Sequence, residues 1–184
     1  MNLSDFRDKK VLVTGHTGFK GSWLSLWLSM LGSEVIGFSD NLISNPSHFE
    51  FIKESSKYDL RGDIRNYQSV KSIINDYKPD FVFHLAAQPI VRKSYEDPLL
   101  TWNTNLFGTL NILEALRYMS KKCCAVLITS DKCYENLEWT WGYRENDKLG
   151  GPDPYSASKG AAELAIKSYI KSFFTESKIG RAHV

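Results

Sequence analysis

Tyr155 and Lys159 stand four residues apart in Tyr155-Ser156-Ala157-Ser158-Lys159, and on a helix that spacing brings a phenol and an ammonium onto one face. A cation beside a phenol favours the phenolate, so the pair can serve as a base near neutral pH. Two solvated neighbours on a surface helix have the same sequence, so the pair needs a site built around it. A second stretch with chemical content is Gly15-His16-Thr17-Gly18-Phe19-Lys20-Gly21. Glycines at this spacing permit a tight turn, let the backbone approach a diphosphate and allow close helix packing, while the next helix offers unpaired N–H groups to the anion. A dinucleotide fits that geometry. No Gly-Lys-Ser/Thr follows, which separates the turn from the triphosphate-binding loop.

Strands and helices must position these groups. Val11 to Thr14 is a short β-rich run ending on Gly15. Trp23, Leu24, Trp27, Leu28 and Leu31 follow at helical spacing, which predicts them as the buried face of a helix closed by Gly32. Strands are also predicted over Glu34 to Phe38, Tyr58 to Leu60, Asp80 to Leu85 and Cys124 to Thr129. Asn66 caps a helix striped by Val70, Ile73, Ile74 and Tyr77 and stopped by Pro79. Pro98 to Tyr118 reads as one long helix, and a last one starts near Tyr155. The alternation predicts an α/β fold, a Rossmann-like doubly wound parallel sheet whose ligands bind at the carboxyl ends of its strands. The longest loops are 39 to 57 and 131 to 154.

On that frame Asp40 follows strand two, about 20 residues past the glycine turn, where an acid holds a ribose hydroxyl; as Asp40-Asn41 it equally begins a loop. Asp63, in Gly62-Asp63-Ile64-Arg65, lies at the same edge and can accept from an adenine amino group or cap the next helix. His84 ends an apolar strand and reads as a satisfied core histidine, with no second His or Cys at metal spacing. Gln88 and Arg92 follow on a predicted loop, able to face a sugar or diphosphate. Trp139, Trp141 and Tyr143 can stack on a base or sugar, with Arg144 and Glu145 hydrogen-bonding it, or pin a long loop to the core.

The 184 residues, 42% of them hydrophobic and 13% aromatic, suffice for one core and one domain. Lys plus Arg number 23 against 21 acidic residues, a net charge of +2 without a basic block, which argues against nucleic-acid or membrane-surface partners. Of the 3 cysteines, the adjacent Cys123 and Cys124 enter a strand as small residues, and neither a disulfide framework nor a CxxC pair is present. This usage, the lack of a membrane-length apolar run and an N-terminus bearing Asp5, Arg7, Asp8, Lys9 and Lys10 predict a soluble cytoplasmic protein. Ile179 to Val184 reads like the translation of a sequencing-adapter oligonucleotide, so residues 1–178 are expected to be the natural domain and 179–184 a non-native tail.

Together the glycine turn, Asp63 in Gly-Asp-Ile-Arg, His84-Leu85-Ala86-Ala87-Gln88, Asn105 in Thr-Asn-Leu-Phe-Gly-Thr, Ser130-Asp131-Lys132 and the Tyr155–Lys159 stretch resemble the extended short-chain dehydrogenase/reductase family. GHTGFKGSWLSLWL, FHLAAQPIVRKSYEDP, TSDKCYEN and EWTWGYRENDKLGGPDPYSASKG narrow the resemblance to its CDP-glucose 4,6-dehydratase branch and cover the chain to about Phe174. The resemblance implies NAD as cofactor. Its implied contacts are Gly15, Thr17, Gly18, Phe19 and Gly21 in the turn, then Asp40, Asp63 and Ile64. Leu85, Ala86 and Ala87 after strand four complete them, with Asn105, Tyr155 and Lys159 on the helices. Asn105 would also kink its helix and hold water.

For the substrate, CDP-glucose, the resemblance implies that Tyr155 is the acid/base for the sugar hydroxyl, Lys159 its partner and ribose ligand, and Ser130 the third catalytic group. Hydride leaves C4, water leaves C5 and C6, and hydride returns to C6. Related dehydratases use Thr-Asp-Glu where this chain has Ser130-Asp131-Lys132. Asp131 keeps the acid role only if burial or a neighbouring carboxylate holds it protonated, and Lys132 can replace the glutamate base only where desolvation or positive charge keeps it neutral. Gln88, Arg92, Tyr143 and Arg144 are the expected substrate contacts. Family chains run well beyond residue 178, so the resemblance implies a C-terminally truncated sheet without its substrate domain, inactive alone, and a homo-oligomeric full-length enzyme. An epimerase or reductase of the same superfamily would keep Tyr155 and Lys159 without needing Asp131 and Lys132. A non-catalytic nucleotide-binding protein would need the glycine turn alone.

Overall fold

The computed structural model describes residues 2–42, 44–174 and 179–181. Six parallel strands are formed by Lys10–Thr14 (β1), Glu34–Ser39 (β2), Tyr58–Arg61 (β3), Phe81–His84 (β4), Cys123–Leu127 (β5) and Ile179–Arg181 (β6), in the order β3-β2-β1-β4-β5-β6. Strand order reverses between β1 and β4, and there the carboxyl ends diverge into a crevice. The pattern expected from the sequence is therefore present, with one strand more than the five expected. That strand falls inside the stretch read as an adapter tail; residues 175–178 and 182–184 lie outside the described residues.

Successive residues of β1 face opposite ways. Leu12 packs with Ile36 and Val82 against Val70 and Ile74 of a helix over Tyr67–Tyr77, and against Ile112, Leu113 and Leu116 of another over Gly108–Tyr118. Val11 and Val13 pack with Val35 against Phe6 and Leu28 on the other face. Burying β1 on both sides is what makes the sheet doubly wound.

The helices, in chain order, are α1 Phe19–Met30, α2 His48–Ile52, α3 Tyr67–Tyr77, α4 Val91–Glu96, α5 Pro98–Trp102, α6 Gly108–Tyr118 and α7 Pro154–Ser172. Helix α1 departs from expectation in its buried face, which carries Gly21, Ser22, Ser25 and Leu28, while Trp23 and Trp27 remain 50% and 54% exposed. A Cβ on Gly21 would collide with the Gly15 carbonyl oxygen. Only small side chains allow that approach, so the indoles turn outward, and the Trp23 ring lies 4.5 Å from the His48 ring.

Two predicted loops contain short helices: α2 opens on a reciprocal Ser47–Glu50 cap, and α4 carries Arg92. The expected long helix over 98–118 is divided by a π-helical turn at Asn103–Phe107. In α3, Asn66 accepts from the Ser69 N–H at the start, and Lys78 ends the helix with φ of 45°. Among the described residues no helix is long and apolar enough to cross a membrane.

His84 is fully enclosed, with Nδ1 2.7 Å from Thr14 Oγ1 and Nε2 3.1 Å from Thr109 Oγ1. The Ala86 N–H donates to Thr14 Oγ1, and the Thr109 hydroxyl donates to the Asn105 carbonyl. These partners assign the imidazole as an acceptor at Nδ1 and a donor at Nε2. Burial pushes its pKa down to about 3. Because an unfolded histidine titrates near 6.5, the unfolded chain takes up this proton first as pH falls. The stabilisation is complete above about pH 6.5 and is lost toward pH 3, at up to ~1.4 kcal/mol per pH unit. Denaturant midpoints measured between pH 7 and pH 4 are expected to fall more steeply in the parent than in His84→Gln; parallel profiles would refute this role.

Candidate dinucleotide and active site

A cleft of about 880 Å³ runs along the carboxyl ends of the central strands, a size suited to a small-molecule ligand. Its floor is the glycine turn. Gly15 has φ of +73°, and a Cβ there would stand 2.8 Å from the Ala86 nitrogen, so the turn needs glycine for both conformation and space. The first N–H groups of α1 have no intrahelical partner and carry the positive end of the helix dipole. Gly15, Thr17, Gly18, Phe19 and Gly21 all line the cleft.

His16, not among the residues expected at the site, shapes this floor. Its ring is fully buried, with Nδ1 3.0 Å from Ser39 Oγ on β2 and Nε2 2.9 Å from Asp59 Oδ1 on β3. A Cβ on Gly37 would collide with that ring. Burial lowers the His16 pKa, partly offset by its bond to Asp59. His16 thus ties the turn to the ends of two further strands. The signal available in sequence was a polar residue in the turn facing a glycine in strand two.

Asp40, Asp63, Ile64, Leu85, Ala86 and Ala87 also line the cleft. Asp40 accepts from the Asn41 N–H at 2.7 Å and stays exposed, so it both begins the loop and presents a carboxylate at the rim. Asp63 grips the Arg65 guanidinium through both carboxylate oxygens, which holds its pKa below the usual range. The helix cap considered for Asp63 belongs to Asn66.

Tyr155 and Lys159 enter the wall opposite the turn from the first turns of α7, a helix opened by Asp153, which accepts from the Ser156 N–H, and by Pro154. Tyr155 is 8% exposed and Lys159 5%. Burial drives the Lys159 pKa down to about 8, with Glu163 opposing the shift, and its ammonium donates to the Ile128 carbonyl at 3.2 Å. Lys159 therefore remains mostly charged at neutral pH while lying close to titration.

Several expected contacts have other partners. Asn105, 1% exposed in the π-helical turn, accepts from the Gln88 N–H at 2.8 Å and donates to the Gln88 carbonyl and to Ser158 Oγ. It does not line the cleft; it braces the segment after β4 against α7. Gln88 lines the cleft, but its side chain donates to Thr101 Oγ1 and the Ile90 carbonyl and accepts from the Ile90 N–H. Both N–H donors of that amide are used within the protein. Arg92 lies on α4, its side chain 90% exposed beside Glu96 and outside the cleft lining. Tyr143 stacks on Tyr134 at 5.4 Å, accepts from the Leu137 N–H and donates to Asn136 through its hydroxyl, so these aromatics tie the loop to itself. The Arg144 N–H donates to Asp147, and neither Tyr143 nor Arg144 lines the cleft.

Ser130, Asp131 and Lys132 follow β5 in a 3-10 turn beside the cleft and outside its lining. Ser130 Oγ accepts from the Lys132 N–H and donates to Asp131, whose side chain is 86% exposed; that of Lys132 is 54% exposed. The burial or neighbouring carboxylate that the acid role of Asp131 requires is not supplied by the described residues.

Comparison with known proteins extends this geometry. A family model described as GDP-mannose 4,6 dehydratase matches residues 12–182. CDP-glucose 4,6-dehydratase of Salmonella typhimurium is 49% identical over 170 residues, 92% of this chain and 47% of that protein. CDP-paratose 2-epimerase of Salmonella typhi is 34% identical over 189 residues, 89% of this chain and 54% of that protein. UDP-glucose 4-epimerase of Thermus thermophilus, solved as a complex with NAD, superposes with a TM-score of 0.76 at 32% identity, covering 89% of this chain and 51% of that one. The chain spans about half the length of the relatives it matches. A match running unbroken from the glycine turn through the Tyr155–Lys159 helix makes this chain a member of the GDP-mannose 4,6-dehydratase family, within the extended short-chain dehydrogenases/reductases.

Proposed function

We propose that the chain is the NAD-binding and proton-handling part of a CDP-glucose 4,6-dehydratase, which makes the 4-keto-6-deoxy sugar nucleotide. The observation that carries this reading is the buried Tyr155–Lys159 pair facing the Gly15–Gly21 turn across one cleft. The first N–H groups of α1, which have no intrahelical partner, suit a diphosphate, and the identity to the Salmonella typhimurium enzyme supports CDP-glucose as substrate. Residues 1–178 are the proposed dinucleotide domain, and the grip on the CDP moiety belongs to the length that the relatives have beyond the match.

Bound NAD supplies the hydride acceptor and donor. Tyr155 Oη takes the proton of the sugar 4-hydroxyl, and the Lys159 ammonium beside it stabilises the resulting phenolate. Ser130 Oγ lies near this point in the proposed pose as a hydrogen-bond donor. Asp131 gives a proton to the departing 6-hydroxyl, and Lys132 Nζ takes the proton from C5. Both groups need the shielding that the relatives' further length would provide, because water competes for them in the open turn. The exposure of Asp131 and Lys132 equally favours a second reading, an epimerase of the same superfamily that uses Tyr155 and Lys159 alone.

Isothermal titration of the chain with NAD is expected to give one site, with no turnover of CDP-glucose by the chain alone. Lys159→Ala should weaken NAD about tenfold, the loss of one charge-assisted hydrogen bond; unchanged affinity removes Lys159 from the cofactor site. The sugar chemistry is read in a chimera joining residues 1–174 to the C-terminal half of the Salmonella typhimurium relative. With CDP-glucose it should form an alkali-absorbing 4-keto product, and Lys132→Ala should keep reduction of the nicotinamide measurable while abolishing that product. Normal product from Lys132→Ala would exclude it as the base, and a C4 epimer from the parent chimera would select the second reading.

A further inference from the structure

Two consecutive residues after β5 hold two residues one turn apart on α7. The Ile128 carbonyl accepts from Lys159 Nζ at 3.2 Å, and Thr129 Oγ1 donates to Glu163 Oε1 at 2.5 Å. Four residues on, the same segment meets α7 again, where a Cβ on Gly160 would come within 3.1 Å of the Cys133 carbonyl oxygen. Lys159 and Glu163 share a face of α7, with Gly160 beside them. The segment 128–133 is thus laid along this helix and held at both ends, and the half-buried Ser130 with the exposed Asp131 and Lys132 forms the span between the anchors.

The charged and titratable groups bearing on Lys159 are Glu163 from its own helix, Cys133 from the turn and His84 from β4. Burial keeps His84 neutral and Cys133 a thiol, the latter with its pKa pushed up to about 11. Glu163 is then the carboxylate that offsets the cost of burying the Lys159 ammonium. Glu163 lies outside the cleft lining, so it acts through Lys159 and Thr129.

We propose that Glu163, fixed by Thr129, is a positioning residue that holds the counter-charge to Lys159 and anchors the start of the Ser130–Lys132 run on α7. This deepens the dehydratase reading and rests on it for its catalytic meaning, while its geometry can be tested without turnover. Thr129→Val removes the donated hydrogen bond and keeps the side-chain volume; Thr129→Ser keeps the bond; Glu163→Gln keeps an acceptor and removes the charge.

The test is the pH dependence of Lys159 acetylation by acetic anhydride in the NAD-free 184-residue chain, read by peptide mass spectrometry. Only the neutral amine reacts, so loss of the counter-charge moves the midpoint to lower pH. Glu163→Gln is expected to lower it by about one pH unit, making Lys159 about tenfold more reactive near pH 7. Thr129→Val should fall between this variant and the parent, and Thr129→Ser should match the parent. Coincident midpoints in the parent, Glu163→Gln and Thr129→Val would overturn the proposal. If Glu163→Gln does not fold, the Thr129→Val and Thr129→Ser comparison decides it alone. A second series with saturating NAD reports separately on the dinucleotide reading, through protection of Lys159 in the parent, so either idea can fail without the other.

Discussion

Backbone packed against backbone at the β1–α1 turn is the constraint on which the site depends. Gly15 abuts Ala86, Gly21 abuts the Gly15 carbonyl, and Gly37 abuts the His16 ring, each too closely for a side chain. These contacts draw α1, the segment after β4 and the end of β2 to one point. They also decide that α1 buries serines and turns its tryptophans outward. The same crowding places the start of α1, with its unpaired first N–H groups, at the cleft.

A continuous run of hydrogen bonds carries that order across the sheet. From the Ala86 N–H it passes through Thr14, His84 and Thr109 to the carbonyl of Asn105, whose side chain in turn holds Gln88 and Ser158. Every link after the part-buried first one is buried, where an unpaired polar group is costly, so the turn and the Tyr155–Lys159 helix are coupled in position. The π-helical turn at Asn103–Phe107 accompanies this arrangement, presenting the Asn105 amide to two elements at once. Lys159 then sits at the meeting of burial, which favours the amine, and Glu163, which favours the ammonium.

Much of this was legible in the residues. Short apolar, β-rich runs located the five longer strands and period-3.6 patterns most helices, because β1 is buried on both faces and α3 on one. His84 is the core histidine its strand suggested. Helix α2, opened by the Ser47–Glu50 cap, lies in what reads as the 39 to 57 loop, because a helix of five residues has too short an apolar pattern to stand out. Arg92, Tyr143 and Arg144 looked like ligands by residue type, yet the local partners that occupy or expose them are known only once α4 and the 131–154 loop are folded.

Local conformational preference and periodicity account for the first five strands, the glycine turn and the helical spacing of Tyr155 and Lys159. Tertiary structure alone decided which polar side chains face the cleft and which are consumed inside the protein. Asn105 and Gln88 became braces, His16 became a tie between three strands, and Asp131 and Lys132 stayed in water. The physical reason is that a polar group's role depends on who shares its burial, and those partners lie as far apart in sequence as Thr14 and His84 or Asn105 and Ser158.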